Sequence, residues 1–199
     1  MKLGILFSGG KDSAAALFWA QQQHEPVCLI TIDSENKDSY MFHTDKVQEI
    51  PNIAKRIGLP LIFKKTKGEK ETELNDLKSA ILEAKNKFKI EGVVSGALAS
   101  EYQRQRVDVI CQDLGLASFA PLWHKDPEQY VRELIDLGFK IKIVRVAAEG
   151  LDESWVGKYI DNKFFNKLLE LNQKYSVHIA GEGGEYESFV EDGPIFSSK

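Results

Sequence analysis

An apolar run, Leu3-Gly4-Ile5-Leu6-Phe7, passes without a spacer into Ser8-Gly9-Gly10-Lys11-Asp12-Ser13 and then into Ala14-Ala15-Ala16-Leu17-Phe18-Trp19-Ala20. The first run reads as a strand and the last as a helix by composition and length. A strand feeding a small-residue turn that opens a helix is an anion site, because the first helical N–H groups lack internal partners and the dipole is positive there. Two glycines let the backbone approach a ligand, and Lys11, Ser8 and Ser13 add a charge and two hydroxyls. The alternative is an ordinary turn with Asp12 or Ser13 as the N-cap. The spacing is neither GxxxxGK[ST], because Asp12 follows Lys11, nor GxGxxG.

The pattern then alternates along the chain. Val27-Cys28-Leu29-Ile30-Thr31-Ile32 is a second strand, apolar throughout as strands buried on both faces are. A polar loop over residues 33–40 follows at the end where open α/β sheets bind ligands. Residues 42–57 are expected to be helical, with Val47, Ile50, Ile53, Ala54 and Ile57 buried and Pro51 marking a kink or short break. Leu61-Ile62-Phe63 reads as a third strand and residues 64–70 as a charged loop. A helix over residues 71–88, a strand at Gly92-Val93-Val94-Ser95-Gly96, a helix over residues 100–114 and a strand at Ser118-Phe119-Ala120-Pro121-Leu122-Trp123 complete the series. This alternation predicts an α/β fold, a Rossmann-like doubly wound parallel sheet. From His124 the grain changes to helix, strand, irregular segment and helix, ending at Gly181-Glu182-Gly183-Gly184-Glu185-Tyr186-Glu187. The chain accordingly divides into residues 1–123 and a smaller C-terminal α/β lobe, residues 124–199.

Apolar residues make up 43% and charged residues 28%, near globular averages, so a sizeable core is expected. The formal net charge of −4 argues against a broad nucleic-acid surface. Cys28 and Cys111 read as buried thiols, and the absence of zinc or disulfide spacing fits a reducing cytoplasm. The polar loop interrupts the first apolar run after Phe7, so no signal peptide is expected, and no run approaches the length of a membrane span.

Residues 8–13 match the SGGxDS loop of the N-type ATP pyrophosphatases, the PP-loop superfamily, which cleave ATP between the α and β phosphates. Within that superfamily the chain resembles the diphthine–ammonia ligases, or diphthamide synthetases. Three stretches carry this likeness: Ser95-Gly96-Ala97-Leu98-Ala99-Ser100 with Tyr102-Gln103-Arg104 and Arg106, then Leu151-Asp152-Glu153-Ser154-Trp155, and residues 181–187. The loop alone specifies the superfamily, whereas GEGGEYE near the end is much more specific to the ligases. Members of that group continue beyond the segment like Gly193-Pro194-Ile195-Phe196 with more β structure, and the present sequence ends at Lys199.

The resemblance implies an adenine nucleotide alpha hydrolase-like sheet, with residues 1–123 binding ATP and residues 124–199 binding the substrate. It implies ATP and Mg2+ as cofactors and diphthine on elongation factor 2 as substrate. Free ammonium is the expected nitrogen source, since no glutaminase domain or N-terminal cysteine is read in the sequence. It leaves room for a homo-oligomer and calls for no membrane. Ser8, Gly9, Gly10, Lys11, Asp12 and Ser13 would hold the β and γ phosphates as leaving pyrophosphate, with Lys11 and Asp12 catalytic and Asp12 the nearest metal ligand. The alternative role for Asp12 is a first-turn acid favoured by the helix dipole.

Gly96 and Ala97 would line the nucleoside, Gly96 admitting the ribose or adenine unless it merely ends a strand. Asp33 and Ser34, at the end of the second strand, are adenine-side candidates. Arg104 or Arg106 would contact phosphate, or else pair with Glu101 or Asp108, and Tyr102 opens the same helix on the substrate side. Glu182, Glu185 and Glu187, spaced by Gly183 and Gly184, crowd like charges in a way that suits a cation, with Glu185 the catalytic candidate. Tyr186, Trp155 and Trp123 would contribute cation–π contacts to the quaternary nitrogen of diphthine. The alternative is an acidic surface turn plus core tryptophans. His43 or His124 would assist proton removal from ammonium, or pack, while His24 and His178 read as structural. Two competing readings are a PP-loop tRNA-modifying enzyme, of thiolase or lysidine-synthase type, and a non-catalytic nucleotide sensor.

Overall fold

The computed structural model describes residues 1–36, 46–68 and 72–197. Five strands, β1 (Lys2–Leu6), β2 (Glu25–Ser34), β3 (Leu61–Thr66), β4 (Gly92–Val94) and β5 (Ala117–Phe119), form one sheet in the order β3-β2-β1-β4-β5. Every neighbouring pair is parallel, so the expected doubly wound sheet is the observed fold. Strand order reverses between β1 and β4, which puts the topological switch point at their carboxyl ends. Residues 8–13 leave β1 there and residues 95–100 leave β4 there. The phosphate loop and the Ser95-to-Ser100 stretch therefore meet across one crevice.

Two buried clusters cover the two faces of the sheet. On one face lie α1 (Lys11–Gln23) and α2 (Ile50–Ile57), packed with Leu3, Ile5 and Leu29. On the other lie α3 (Thr72–Phe88) and α4 (Glu101–Asp113), packed with Cys28, Ile30 and Ile32. The split of Leu29 from Cys28 and Ile30 is the period-2 alternation of a strand buried on both sides.

The α1 helix is buried at Ser13, Ala14, Ala15, Ala16, Leu17 and Ala20, a consecutive run rather than a single stripe. Such a helix is covered on more than one side. The sheet covers one side and the C-terminal segment takes another: α5 (Pro127–Asp136), β6 (Lys140–Val146), α6 (Asn162–Tyr175) and β7 (Tyr186–Asp192). The β6 and β7 strands pair antiparallel as a separate two-stranded sheet. Tyr130, Leu134, Phe164 and Phe189 from this segment share one buried cluster with the α1 alanines. Alanine is what lets both neighbours come close.

Several boundaries differ from the sequence expectation. β3 extends to Thr66 instead of ending at Phe63, because Lys64, Lys65 and Thr66 pair with Ile32, Asp33 and Ser34 of β2. Asp33 and Ser34 thus belong to strand, not to the polar loop. β5 ends at Phe119 rather than Trp123; Pro121 has no N–H for the ladder and residues 121–124 form a turn. Pro51 marks the expected short break rather than a kink: a 3-10 turn over Val47–Glu49 gives way to α2 at Ile50, and Pro51 sits in the first turn of α2, where a missing N–H costs nothing. The expected helical residues 42–45, and residues 37–40 of the expected loop, lie outside the described residues. Among the described residues no helix is long and apolar enough to cross a membrane.

Candidate functional site

Gly10 is the N-cap of α1 and makes no side-chain cap bond, so neither Asp12 nor Ser13 is the N-cap. The serines brace the loop instead. Ser13 Oγ donates to Gly10 O at 3.0 Å and accepts from Ser8 N at 3.2 Å. The last strand clamps the loop from outside, with Val190 N donating to Gly9 O at 2.7 Å and Lys11 N to Ser188 Oγ at 3.3 Å. Gly9 has φ +80°, and a Cβ there would stand 2.6 Å from the Phe189 ring, so only glycine fits. The result is a rigid strand-to-helix turn whose remaining first-turn amides favour an anion.

Next to that turn lies a buried charged group. Lys11 Nζ donates to Asp12 Oδ2 at 2.9 Å, and Tyr130 Oη donates to Asp12 Oδ1 at 2.8 Å. Burial pulls the Lys11 ammonium down, but Asp12, Tyr186 and Glu182 outweigh it and carry the group above the ordinary lysine value. Lys11 stays a cation, with its Nζ 5.4 Å from the centroid of the Tyr186 ring. Burial pushes the Tyr130 phenol well above its usual value, reinforced by the Asp12 carboxylate, and burial pushes Tyr186 up to about 12. The Glu182 carboxyl is raised by burial and by the nearby Asp12 charge, against the pull of Lys11. Lys11, Asp12, Tyr130, Glu182 and Tyr186 thus form one electrostatic group.

Gly96 belongs to the same crevice, and its smallness has a packing reason. A Cβ on it would lie 2.7 Å from the Asp12 carbonyl carbon and 2.8 Å from Ser13 N. Its smallness admits the start of α1 against the end of β4. Ala97 and Leu98 after it are buried, and Ala99 N donates to Glu182 Oε2 at 3.2 Å. That bond ties the β4–α4 loop to the acidic motif.

The three carboxylates of residues 181–187 do not converge as a ring. Glu185 folds back on its own turn, accepting from His178 N at 3.0 Å and Gly183 N at 2.8 Å. Glu187 lies on β7 opposite Arg145 and ion-pairs with it at 2.7 Å. Glu182 is the one whose charge acts on Lys11 and Asp12. Gly184 takes φ +80° in the turn. The three aromatic residues do not stack on one another; Tyr186 and Trp155 pack on the common ring of Phe164, at 5.2 and 5.1 Å between centroids. Tyr186 is buried under Lys11 and donates to Ile179 O at 2.9 Å; Trp155 stacks with Phe164 and lies under Lys158; Trp123 lies under Arg104 and beside His124. Each of the three faces a cation of the protein itself.

Arg104 takes the alternative given for it, pairing with Asp108 at 3.5 Å while stacking 4.5 Å over Trp123. With Ser118 and Ala120 these residues line a cavity of about 440 Å³. The Arg106 guanidinium lies 3.3 Å from the Tyr102 ring centroid. Asp33 accepts from Gln48 Nε2 at 3.0 Å at the far end of β2. His124 sits in the post-β5 turn with φ +57°, its N–H bonded to Leu98 O. His43 lies outside the described residues. Tyr130 and Ser188 were not legible as site residues: they reach the loop from 118 and 177 positions away, and nothing local marks them.

Among the described residues no three His, Cys, Asp or Glu side chains gather as a metal site. One held carboxylate beside an uncapped helix start suits a hard cation shared with phosphate oxygens, as magnesium is usually bound. The donor set therefore fits magnesium carried on a nucleotide.

The chain matches the family model described as diphthamide synthase N-terminal domain over residues 1–118, and the diphthamide synthase C-terminal domain over residues 126–199. It is similar to the diphthine–ammonia ligase of Mus musculus, 37% identical over 219 residues, covering 100% of this chain and 82% of that protein. The Homo sapiens diphthine–ammonia ligase is 35% identical over 222 residues with the same coverage. The Schizosaccharomyces pombe protein of that name is 36% identical over 216 residues, of which this chain spans 36% of the length. Among solved structures, a predicted subunit of tRNA methyltransferase from Methanocaldococcus jannaschii superposes with a TM-score of 0.51 at 15% identity, over 97% of this chain and 98% of that one. This last likeness concerns the fold alone.

Proposed function

The chain belongs to the diphthamide synthase family, and we propose that it is an ATP-dependent ligase that amidates diphthine with ammonia. The observation that carries this reading is the start of α1, with no side chain on its N-cap residue, at the switch point of the sheet, with buried Lys11 and half-buried Asp12 beside it. That arrangement suits the β and γ phosphates of ATP as a leaving pyrophosphate. The diphthine carboxylate attacks the α phosphorus and displaces pyrophosphate, giving an acyl-adenylate; ammonia then attacks the acyl carbon and displaces AMP. Magnesium, held by Asp12, would offset phosphate charge.

Catalysis rests on position and electrostatics, which fits a site built from a lysine, carboxylates and backbone amides. We assign nucleotide binding to residues 1–123 and the acyl substrate to residues 124–199, with Glu182 as the carboxylate that meets the reacting groups. The cavity at Arg104 and Trp123 is the entrance we favour for the modified residue of elongation factor 2. Free, buried Cys28 and Cys111 support a cytoplasmic setting, and the net charge of −4 supports a protein-borne substrate over RNA.

An ATP–pyrophosphate exchange assay tests the reading. Exchange is expected with diphthine-bearing elongation factor 2 and not with bulk tRNA. Exchange with tRNA alone overturns the assignment, and ATP binding without exchange marks a sensor.

A further inference from the structure

Tyr130 is 1% exposed in the apolar core beneath α1, alongside Val131 and Leu134. A phenylalanine would fill that space equally well. A buried hydroxyl costs free energy unless it is paired, so the oxygen needs a reason. Its bond runs across 118 positions to Asp12 Oδ1 at 2.8 Å. Asp12 Oδ2 is held at 2.9 Å by Lys11, itself buried. Both carboxylate oxygens are thus fixed from the protein side by charge-assisted bonds, yet the Asp12 side chain remains 30% exposed. An ionised carboxylate offers about four lone-pair directions, so two donors leave the others for a ligand.

We infer that Tyr130 is a positioning residue: its hydroxyl holds the Asp12 carboxylate in the orientation that receives magnesium on the bound nucleotide. Resting on the ATP-dependent reading above, this gives α5 a part in the nucleotide site, although it belongs to the C-terminal segment. Outer partners that orient a ligating group typically change metal affinity 10–100-fold when removed.

The test measures ATP affinity by calorimetry, with and without magnesium, for the wild type, Tyr130→Phe, Asp12→Asn and the double variant. Tyr130→Phe keeps the ring contacts, and the exposure of Asp12 lets water replace the lost donor, so the variant folds; circular dichroism verifies this. We expect Tyr130→Phe to erase about tenfold of the affinity gained from magnesium, with metal-free ATP affinity kept within about twofold. In the Asp12→Asn background the same change has no further effect on that gain, as a double-mutant cycle requires of coupled groups. Equal weakening with and without magnesium, or an undiminished loss in the Asp12→Asn background, overturns the inference and makes Tyr130 a packing residue. A wild-type protein that binds no ATP overturns the functional reading as well. Magnesium-enhanced binding that Tyr130→Phe leaves intact overturns this inference alone.

Discussion

Gly96→Ala adds one methyl group where the backbone of the phosphate loop already lies. The new Cβ would stand 2.7 Å from the Asp12 carbonyl carbon, 2.8 Å from its oxygen and 2.8 Å from Ser13 N. Non-bonded carbon contacts settle near 3.5 Å, so these atoms must give way by about 0.7 Å. All three are main-chain atoms in the first turn of a buried helix, and no rotamer change relieves them. Overpacking of this kind costs about 1–3 kcal/mol, and backbone neighbours put it toward the upper end. At roughly 2–4 °C per kcal/mol for a chain of this size, a cost of about 2–3 kcal/mol lowers the unfolding temperature by about 4–12 °C. ATP affinity falls with it, because the helix start moves. The control is Gly10→Ala, where φ is −74° and the nearest atoms to a Cβ are 3.5 Å away. There we expect a loss below about 1 kcal/mol. Thermal unfolding by circular dichroism and an ATP titration on both variants decide the matter. A Gly96→Ala protein that melts with the wild type refutes the packing argument, and loss of ATP binding alone would make Gly96 a ligand-approach position.

Two further outcomes follow from the geometry. Glu185→Ala removes the acceptor of two backbone N–H groups and should cost about 1–3 kcal/mol in urea unfolding while ATP affinity is kept; Glu187→Ala, which breaks an exposed cross-strand pair with Arg145, should cost less than about 1 kcal/mol, a loss that shrinks in salt. Reversal of that order would restore Glu187 to the functional group. Burial raises the Cys28 thiol to about 12 and Cys111 to about 11, from 9.0. The neutral thiols stabilise the fold fully below pH 9, and that contribution is lost as pH rises from 9 to the folded values. Each contributes about 1.4 kcal/mol of that loss at pH 10, so a Cys28→Ala/Cys111→Ala protein should show a flatter alkaline stability curve. An equal slope in both proteins refutes this.

The acidic motif shows where the sequence stopped being readable. Three glutamates within residues 181–187 looked like one cation-binding ring, because local spacing cannot say where each side chain goes. Folding sends Glu185 back to its own turn, pairs Glu187 with Arg145 across the antiparallel β6 and β7 strands, and leaves Glu182 as the one of the three whose charge acts on Lys11. Arg104 is similar: at the start of a helix it needed a reason, and Asp108 one turn on with Trp123 from the next connection supplies it.

The alternation of apolar runs and helical segments was enough, from sequence alone, for the doubly wound sheet, and residues 8–13 were enough for an anion-binding helix start. Both depend on neighbours a few residues apart, which periodicity and turn chemistry record. Only the tertiary structure decided which distant residues complete the loop. Tyr130 on Asp12, Ser188 on the Lys11 amide and Phe189 against Gly9 come from residues 127–192, and the burial of α1 between sheet and C-terminal segment brings them there. A hydroxyl in an apolar stripe reads as core until the carboxylate it was buried to hold stands beside it.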